Sequence, residues 1–198
     1  MLLSDQVGHM KRIATILLLA SVYSFMYAGP FGIEMGWTLD ACIRAGSVMD
    51  EIFPGKYHCH PPKAHTTFDS YIINIDETQG VYMITACSSA YESVTYGYYV
   101  EHEYNKVKEQ LEQKYGIPRA FNYVNPSDSD PKDWMRTIFN ENRALKAFWD
   151  EPNDSSIGAI WLEVKGISPT SCIISVEYLS NTLNSISNRI EKEDYDAL

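Results

Sequence analysis

Residues 68–88 read FDSYIINIDETQGVYMITACS and carry the clearest strand pattern of the chain. From Phe68 to Asp76, and again from Val81 to Ser88, apolar side chains alternate with polar ones, which is the period of a strand with one buried face. The four residues between them, Glu77 to Gly80, have the composition of a turn. The stretch therefore predicts an antiparallel β-hairpin.

Further strands are expected on both sides of this hairpin. Upstream, a Pro54-Gly55 turn separates two short segments with strand character, 50–53 and 56–60, and residues 31–37 alternate apolar residues with Gly or Glu. We interpret residues 121–129, rich in Asn, Ser and Asp, as a loop. The downstream strands are expected at 144–149, 157–165 and 172–178, the last two forming a second hairpin.

One long helix is strongly indicated between the two groups of strands. Its apolar residues recur at spacings of three and four and are followed by Gly116 and Pro118, which end a helix. A short helix is expected after Thr38 and another after Asp130-Pro131, because these residues have N-cap and first-turn preferences. The apolar positions of the long helix are Val100, Tyr104, Val107, Leu111 and Tyr115.

Groups of antiparallel strands separated by helices predict an α+β fold, with an antiparallel sheet and helices packed on one face. The order of elements also suggests two halves, each of a helix and three strands. The predicted core consists of Ile33, Leu39, Ile73, Ile75, Ile84, Val107, Leu111, Ile138, Phe148, Ile160, Leu162, Ile174 and Val176.

Composition and charge exclude some classes of protein. The 198 residues include 16 Lys and Arg against 26 Asp and Glu, a net charge of −10, and 45% are hydrophobic. The hydrophobic content is that of a folded domain rather than a disordered chain. The negative charge argues against nucleic acid as a partner, because phosphates would be repelled.

The first 28 residues have the pattern of a secretory signal. Lys11 and Arg12 precede the uncharged apolar run 13–28, which is shorter than the ~20 residues that a membrane-spanning helix needs. We expect cleavage after Ala28, a periplasmic or secreted location and no membrane attachment, with an uncleaved anchor as the alternative. Met10 is a second possible start. Residues 29–180 are then one globular domain, and 181–198 a polar tail with a weak helical stripe.

All four cysteines follow the leader, at positions 42, 59, 87 and 172. An even number in an oxidising compartment favours disulfides, and four cysteines allow three connectivities. We favour Cys42–Cys59, which closes a short loop, and Cys87–Cys172, which joins two strands. Free buried thiols are the alternative.

The opening residues 31–39, FGIEMGWTL, come directly after the predicted signal and run into the Thr38 cap. This opening resembles a family of small, mostly uncharacterised secreted bacterial proteins, and it is similar to the β-lactamase-inhibitor-protein-like modules, which pair short helices with antiparallel sheet and bind other proteins. The resemblance covers about ten residues and implies an interaction module rather than an enzyme.

Three histidines lie close together in HCHPPKAH, residues 58–65. On a strand, His58 and His60 point to the same face, and His65 can return to complete a site for zinc or copper. The alternative is a polar strand end without metal. This cluster supports an alternative hypothesis for the function, in which the protein is a metal-binding protein or a hydrolase.

A tyrosine-rich stretch precedes the long helix. Tyrosine provides large contact area at low entropic cost, and neighbouring carboxylates attract a basic partner. The alternative is that the tyrosines fill the core. The candidate binding residues are Tyr91, Tyr96, Tyr98, Tyr99 and Glu101.

No nucleophile elbow, phosphate-binding loop or dinucleotide fingerprint occurs in the sequence. We therefore expect a protein-binding module rather than an enzyme. The negative charge favours a basic partner, so the module is interpreted as an inhibitor or immunity-type antagonist of a basic secreted protein.

Overall fold

The computed structural model describes residues 29–92, 96–128 and 130–196. The expected signal peptide lies outside these residues. The described chain contains one nine-stranded antiparallel sheet and four α-helices packed on it, which confirms the predicted α+β class.

The strands run β1 Val48–Phe53, β2 Lys56–His60, β3 Ser70–Asp76, β4 Gly80–Cys87, β5 Tyr91–Glu92, β6 Arg119–Val124, β7 Arg143–Trp149, β8 Ile157–Ser168 and β9 Ser171–Ser180. The helices are α1 Leu39–Arg44, α2 Tyr98–Tyr115, α3 Trp134–Phe139 and α4 Leu183–Asp196. Three short 3-10 turns occur at Pro30–Gly32, Pro126–Asp128 and Pro131–Asp133.

The sheet consists of two four-stranded meanders joined at their last strands. The strand order is β1-β2-β3-β4-β9-β8-β7-β6, and β5 pairs with the far end of β9. Each meander follows a helix, α1 in the first half and α2 in the second, and α3 lies between β6 and β7. Each half therefore contains four strands rather than the expected three.

The core lies between the sheet and helices α2 and α3. Most of the predicted core residues are buried there, including Ile73, Ile160 and Leu162. Phe148 is an exception, because it belongs to the alternate set of β7 side chains that point to the opposite face. Leu39 and Ile75 are half-buried.

The opposite face of the sheet, here called the open face, is occupied mainly by half-buried and exposed side chains. Cross-strand pairing places eight of them in one continuous row from β1 to β6. In spatial order the row contains Asp50, His58, Ile72, Thr85, Glu177, Trp161, Phe148 and Arg119.

Two predicted elements are wrong. Residues 31–37 form no strand, because Phe31, Gly32 and Gly36 adopt positive φ angles of 57°, 81° and 83° that interrupt extended backbone. Part of the predicted loop 121–129 is instead strand β6, which pairs with β7 at the edge of the sheet.

The expected polar tail continues as α4. Its Ile186 is buried, and Arg189 forms an ion pair with Asp76 at the β3–β4 turn. Thr78 and Gln79 donate backbone N–H groups to the same carboxylate. Burial alone would raise the pKa of Asp76, but these donors and Arg189 together hold it well below its usual range. These contacts attach the first half of α4 to the sheet.

Candidate functional site

The best-defined cluster of metal-ligating side chains lies on the β1–β2 hairpin. Asp50 is directly opposite His58, and His60 lies two residues further along β2 on the same open face. One ligand atom from each of these three residues lies within 4.8 Å of the others. Asp50, His58 and His60 are called the metal triad below.

A β-bulge brings Asp50 into the metal triad. Phe53 lies opposite Lys56 near the turn. If the strands continued in that register, Asp50 would lie opposite Cys59 and point to the core face. The register shifts between Glu51 and Phe53, so Asp50 lies opposite His58 instead. Because side chains alternate along a strand, this one-residue shift moves Asp50 to the open face.

The hairpin is fixed to the body from its other face. Cys59, between the two histidines, is fully buried, as is Cys42 of α1. Burial raises the pKa of each thiol to about 11, so both are protonated at neutral pH. On the open face, the His58 and His60 rings are in edge contact at a centroid distance of 5.4 Å. The imidazole ligands are therefore carried by a strand whose orientation is set by packing.

His65, which was expected as a third ligand, lies outside the metal triad. Its Nδ1 accepts a hydrogen bond from the backbone N–H of Thr67 at 3.2 Å, which leaves the proton on Nε2. Nε2 is 2.9 Å from Oε1 of Gln110 on α2. Both ring nitrogens are engaged within the protein, and Asp50 supplies the third ligand atom instead.

The candidate tyrosines surround the beginning of α2. Tyr96, Tyr98 and Tyr99 are exposed by 44%, 71% and 60%, so the alternative that they fill the core is wrong for these three. The rings of Tyr96 and Tyr98 are stacked at 6.0 Å, and Tyr91, which is half-buried, contacts Tyr99 edge to face at 5.8 Å. These four residues are called the tyrosine surface.

Glu101 has a structural partner. Its Oε1 accepts a hydrogen bond of 2.7 Å from the indole Nε1 of the buried Trp134, which joins α2 to α3. This contact occupies a carboxylate oxygen that was expected to face a partner protein.

All four cysteines are free thiols in the structure. The favoured Cys87–Cys172 pair is incompatible with the strand register, since Cys87 lies opposite Ser175 and Cys172 is three residues further along β9. Three residues along a strand correspond to ~10 Å and to the opposite face of the sheet. Cys42 and Cys59 are both buried in the same core cluster.

Comparison with protein-family models, with curated proteins and with solved structures found no match. Among the described residues, no helix has both the length and the apolar character needed to cross a bilayer.

Proposed function

We propose that the protein binds a divalent transition-metal ion, zinc or copper, at the metal triad. The observation that carries this proposal is the convergence of an oxygen and two nitrogen ligand atoms to within 4.8 Å of one another. Imidazole nitrogen combined with a carboxylate oxygen suits both ions, and copper(II) would bind the more tightly.

Three protein ligands leave at least one coordination position for water or for a group from another molecule. Asp50 and His60 are exposed and His58 is half-buried, so the ion would lie at the surface of the sheet rather than in a cleft that excludes water. These features favour metal binding over hydrolysis as the function of the site.

Metal titration of the purified protein tests the proposal. We expect one equivalent of Zn²⁺ or Cu²⁺ to bind, and His58→Gln, His60→Gln or Asp50→Asn to weaken binding by about tenfold or more through loss of a direct ligand. Binding should also weaken as the pH falls, because imidazoles must be unprotonated to coordinate a metal ion.

His102→Gln is the matched control, because His102 is exposed on α2 and lies outside the metal triad. This variant should bind the ion as the unaltered protein does. Equal loss of affinity in His102→Gln and His60→Gln, or no binding at all, would refute the proposal.

A second candidate function is recognition of a basic protein partner in the periplasm or outside the cell. It is favoured by the tyrosine surface, which carries three exposed aromatic side chains at the beginning of α2 on a chain with a net charge of −10. In this role the protein acts as an inhibitor or immunity-type antagonist. The exported location is supported by the signal-like leader.

Capture of basic proteins from periplasmic extract, at increasing salt concentration, tests this second function. We expect a basic protein to be retained at low salt by the unaltered chain and lost by the triple variant Tyr96→Ser, Tyr98→Ser, Tyr99→Ser. Tyr123→Ser is the matched control, since Tyr123 is similarly exposed, by 44%, on the edge strand β6 and is not part of the tyrosine surface. Equal retention by the triple variant would contradict the assignment.

A further inference from the structure

A cavity of about 440 Å³ lies between α2, the 3-10 turn at Pro30–Gly32 and the loop that connects β2 to β3. Its volume is within the range of small-molecule binding sites. It is separate from the metal triad and from the tyrosine surface, since none of their residues lines it.

Aromatic and aliphatic side chains form the apolar part of the cavity wall. Phe31 contacts Phe68 and Tyr178 edge to face, at centroid distances of 5.9 and 5.7 Å. Val107 and Leu111 of α2 line the same space. Such walls accommodate the apolar part of a ligand.

Two lysines add positive charge to this otherwise acidic protein. Lys63, from the β2–β3 loop, and Lys114, near the end of α2, both line the cavity. Partial desolvation lowers the pKa of Lys114, and the charge of Lys63 acts in the same direction, while the carboxylate of Asp154 opposes them. The two lysines favour a ligand with a negatively charged group.

Tyr115, which lines this cavity, carries a further polar group, its hydroxyl. The hydroxyl is buried and has no hydrogen-bond partner among the described residues. A buried hydroxyl without a hydrogen-bond partner destabilises the folded protein. A ligand acceptor that reached it would remove that destabilisation.

We propose that this cavity binds a small organic carboxylate with an apolar body. The carboxylate is held by Lys63 and Lys114, the hydroxyl of Tyr115 donates a hydrogen bond to the ligand, and the apolar part packs against Phe31 and Tyr178. His65 and Gln110, which bond each other, complete the polar rim.

Calorimetric titration of the full chain with octanoate tests this proposal, with octanamide as the uncharged analogue of the same length. EDTA is present throughout, so that the result is independent of the metal triad. We expect octanoate to bind at least about tenfold more tightly than octanamide, and the double variant Lys63→Gln, Lys114→Gln to lose about tenfold in octanoate affinity. The matched control Lys106→Gln, on the same helix and paired with Glu103, should bind normally.

Tyr115→Phe separates a binding role from a structural one. We expect it to weaken octanoate binding while leaving the melting temperature of the free protein unchanged or higher, because an unpartnered hydroxyl is removed. Equal binding of octanoate and octanamide, no binding of octanoate, or full affinity in the lysine double variant would overturn the proposal. If the double variant does not fold, Lys63→Gln alone, at the exposed rim, provides the same test.

Discussion

Glu177 lies in the middle of the row that crosses the open face, between Thr85 on β4 and Trp161 on β8. Partial burial raises the pKa of Glu177, and the neighbouring charge of Glu163 raises it further, against an opposing effect of Lys165. The folded protein therefore holds this proton more tightly than the unfolded chain does. Ionisation of Glu177 lowers stability as the pH rises from the ordinary glutamate pKa through the raised one.

Glu177→Gln removes this ionisation. We expect the variant to have a higher melting temperature than the unaltered protein at pH 7, by about 2 °C, and no difference near pH 3, where both side chains are neutral. Thermal unfolding followed by circular dichroism at the two pH values measures the difference in melting temperature between the variant and the unaltered protein. Glu109→Gln, on the exposed face of α2, is the control and should have no effect at either pH. An equal gain at both pH values would show that ionisation is not the cause.

At the scale of single elements, the junction of α2 with α3 depends on one glycine. Gly97 caps α2 with a φ of 70°, and a methyl group added to it would overlap the indole ring of Trp134. Trp134 is also bonded to Glu101 in the first turn of α2. The two helices therefore approach each other at a position where only glycine fits.

Gly97→Ala should destabilise the protein by about 2–4 kcal/mol, because backbone strain and displacement of Trp134 combine. Gly46→Ala is a control for the strain alone, since Gly46 has a φ of 100° but nothing within 4 Å of an added methyl group. We expect Gly46→Ala to lower the free energy of unfolding by only about 1 kcal/mol. Urea unfolding monitored by tryptophan fluorescence measures both values, and equal losses would contradict the proposed contact with Trp134.

At the scale of the whole molecule, the sheet places Cys87 and Cys172 in different environments, one on each of its two faces. Cys87 lies on the open face, half-buried, and its sulfur is 3.7 Å from the hydroxyl of Ser175. Cys172 lies on the core face, where burial raises its pKa to about 12. The reactive thiolate is therefore strongly disfavoured at Cys172.

Alkylation of the native protein with iodoacetamide at pH 8, followed by peptide mass mapping, should modify Cys87 first. Cys42, Cys59 and Cys172 should react only after unfolding, because all three are fully buried. Modification of Cys172 as fast as Cys87 would contradict the assignment of these residues to opposite faces. A Cys87–Cys172 disulfide in the mass map would contradict the strand register itself.

The elements predicted best from the sequence are those that bury one face. The long helix has apolar residues at spacings of three and four from Val100 to Tyr115, and all five are buried in α2. The predicted hairpins match β3–β4 and β8–β9 for the same reason. Strand β6 was missed because it is an edge strand with exposed side chains, held by backbone pairing to β7 rather than by burial.

The sequence by itself determined the α+β class, the main helix, the two central hairpins and the placement of His58 and His60 on one face of a strand. These features follow from the local periodicity of the segments that form them. Only the tertiary structure decided that Asp50 joins the histidines and that His65 bonds Gln110 instead. The physical reason is that a bulge of one residue exchanges the two faces of a strand, and the pairing that creates it is not encoded in the period of the sequence.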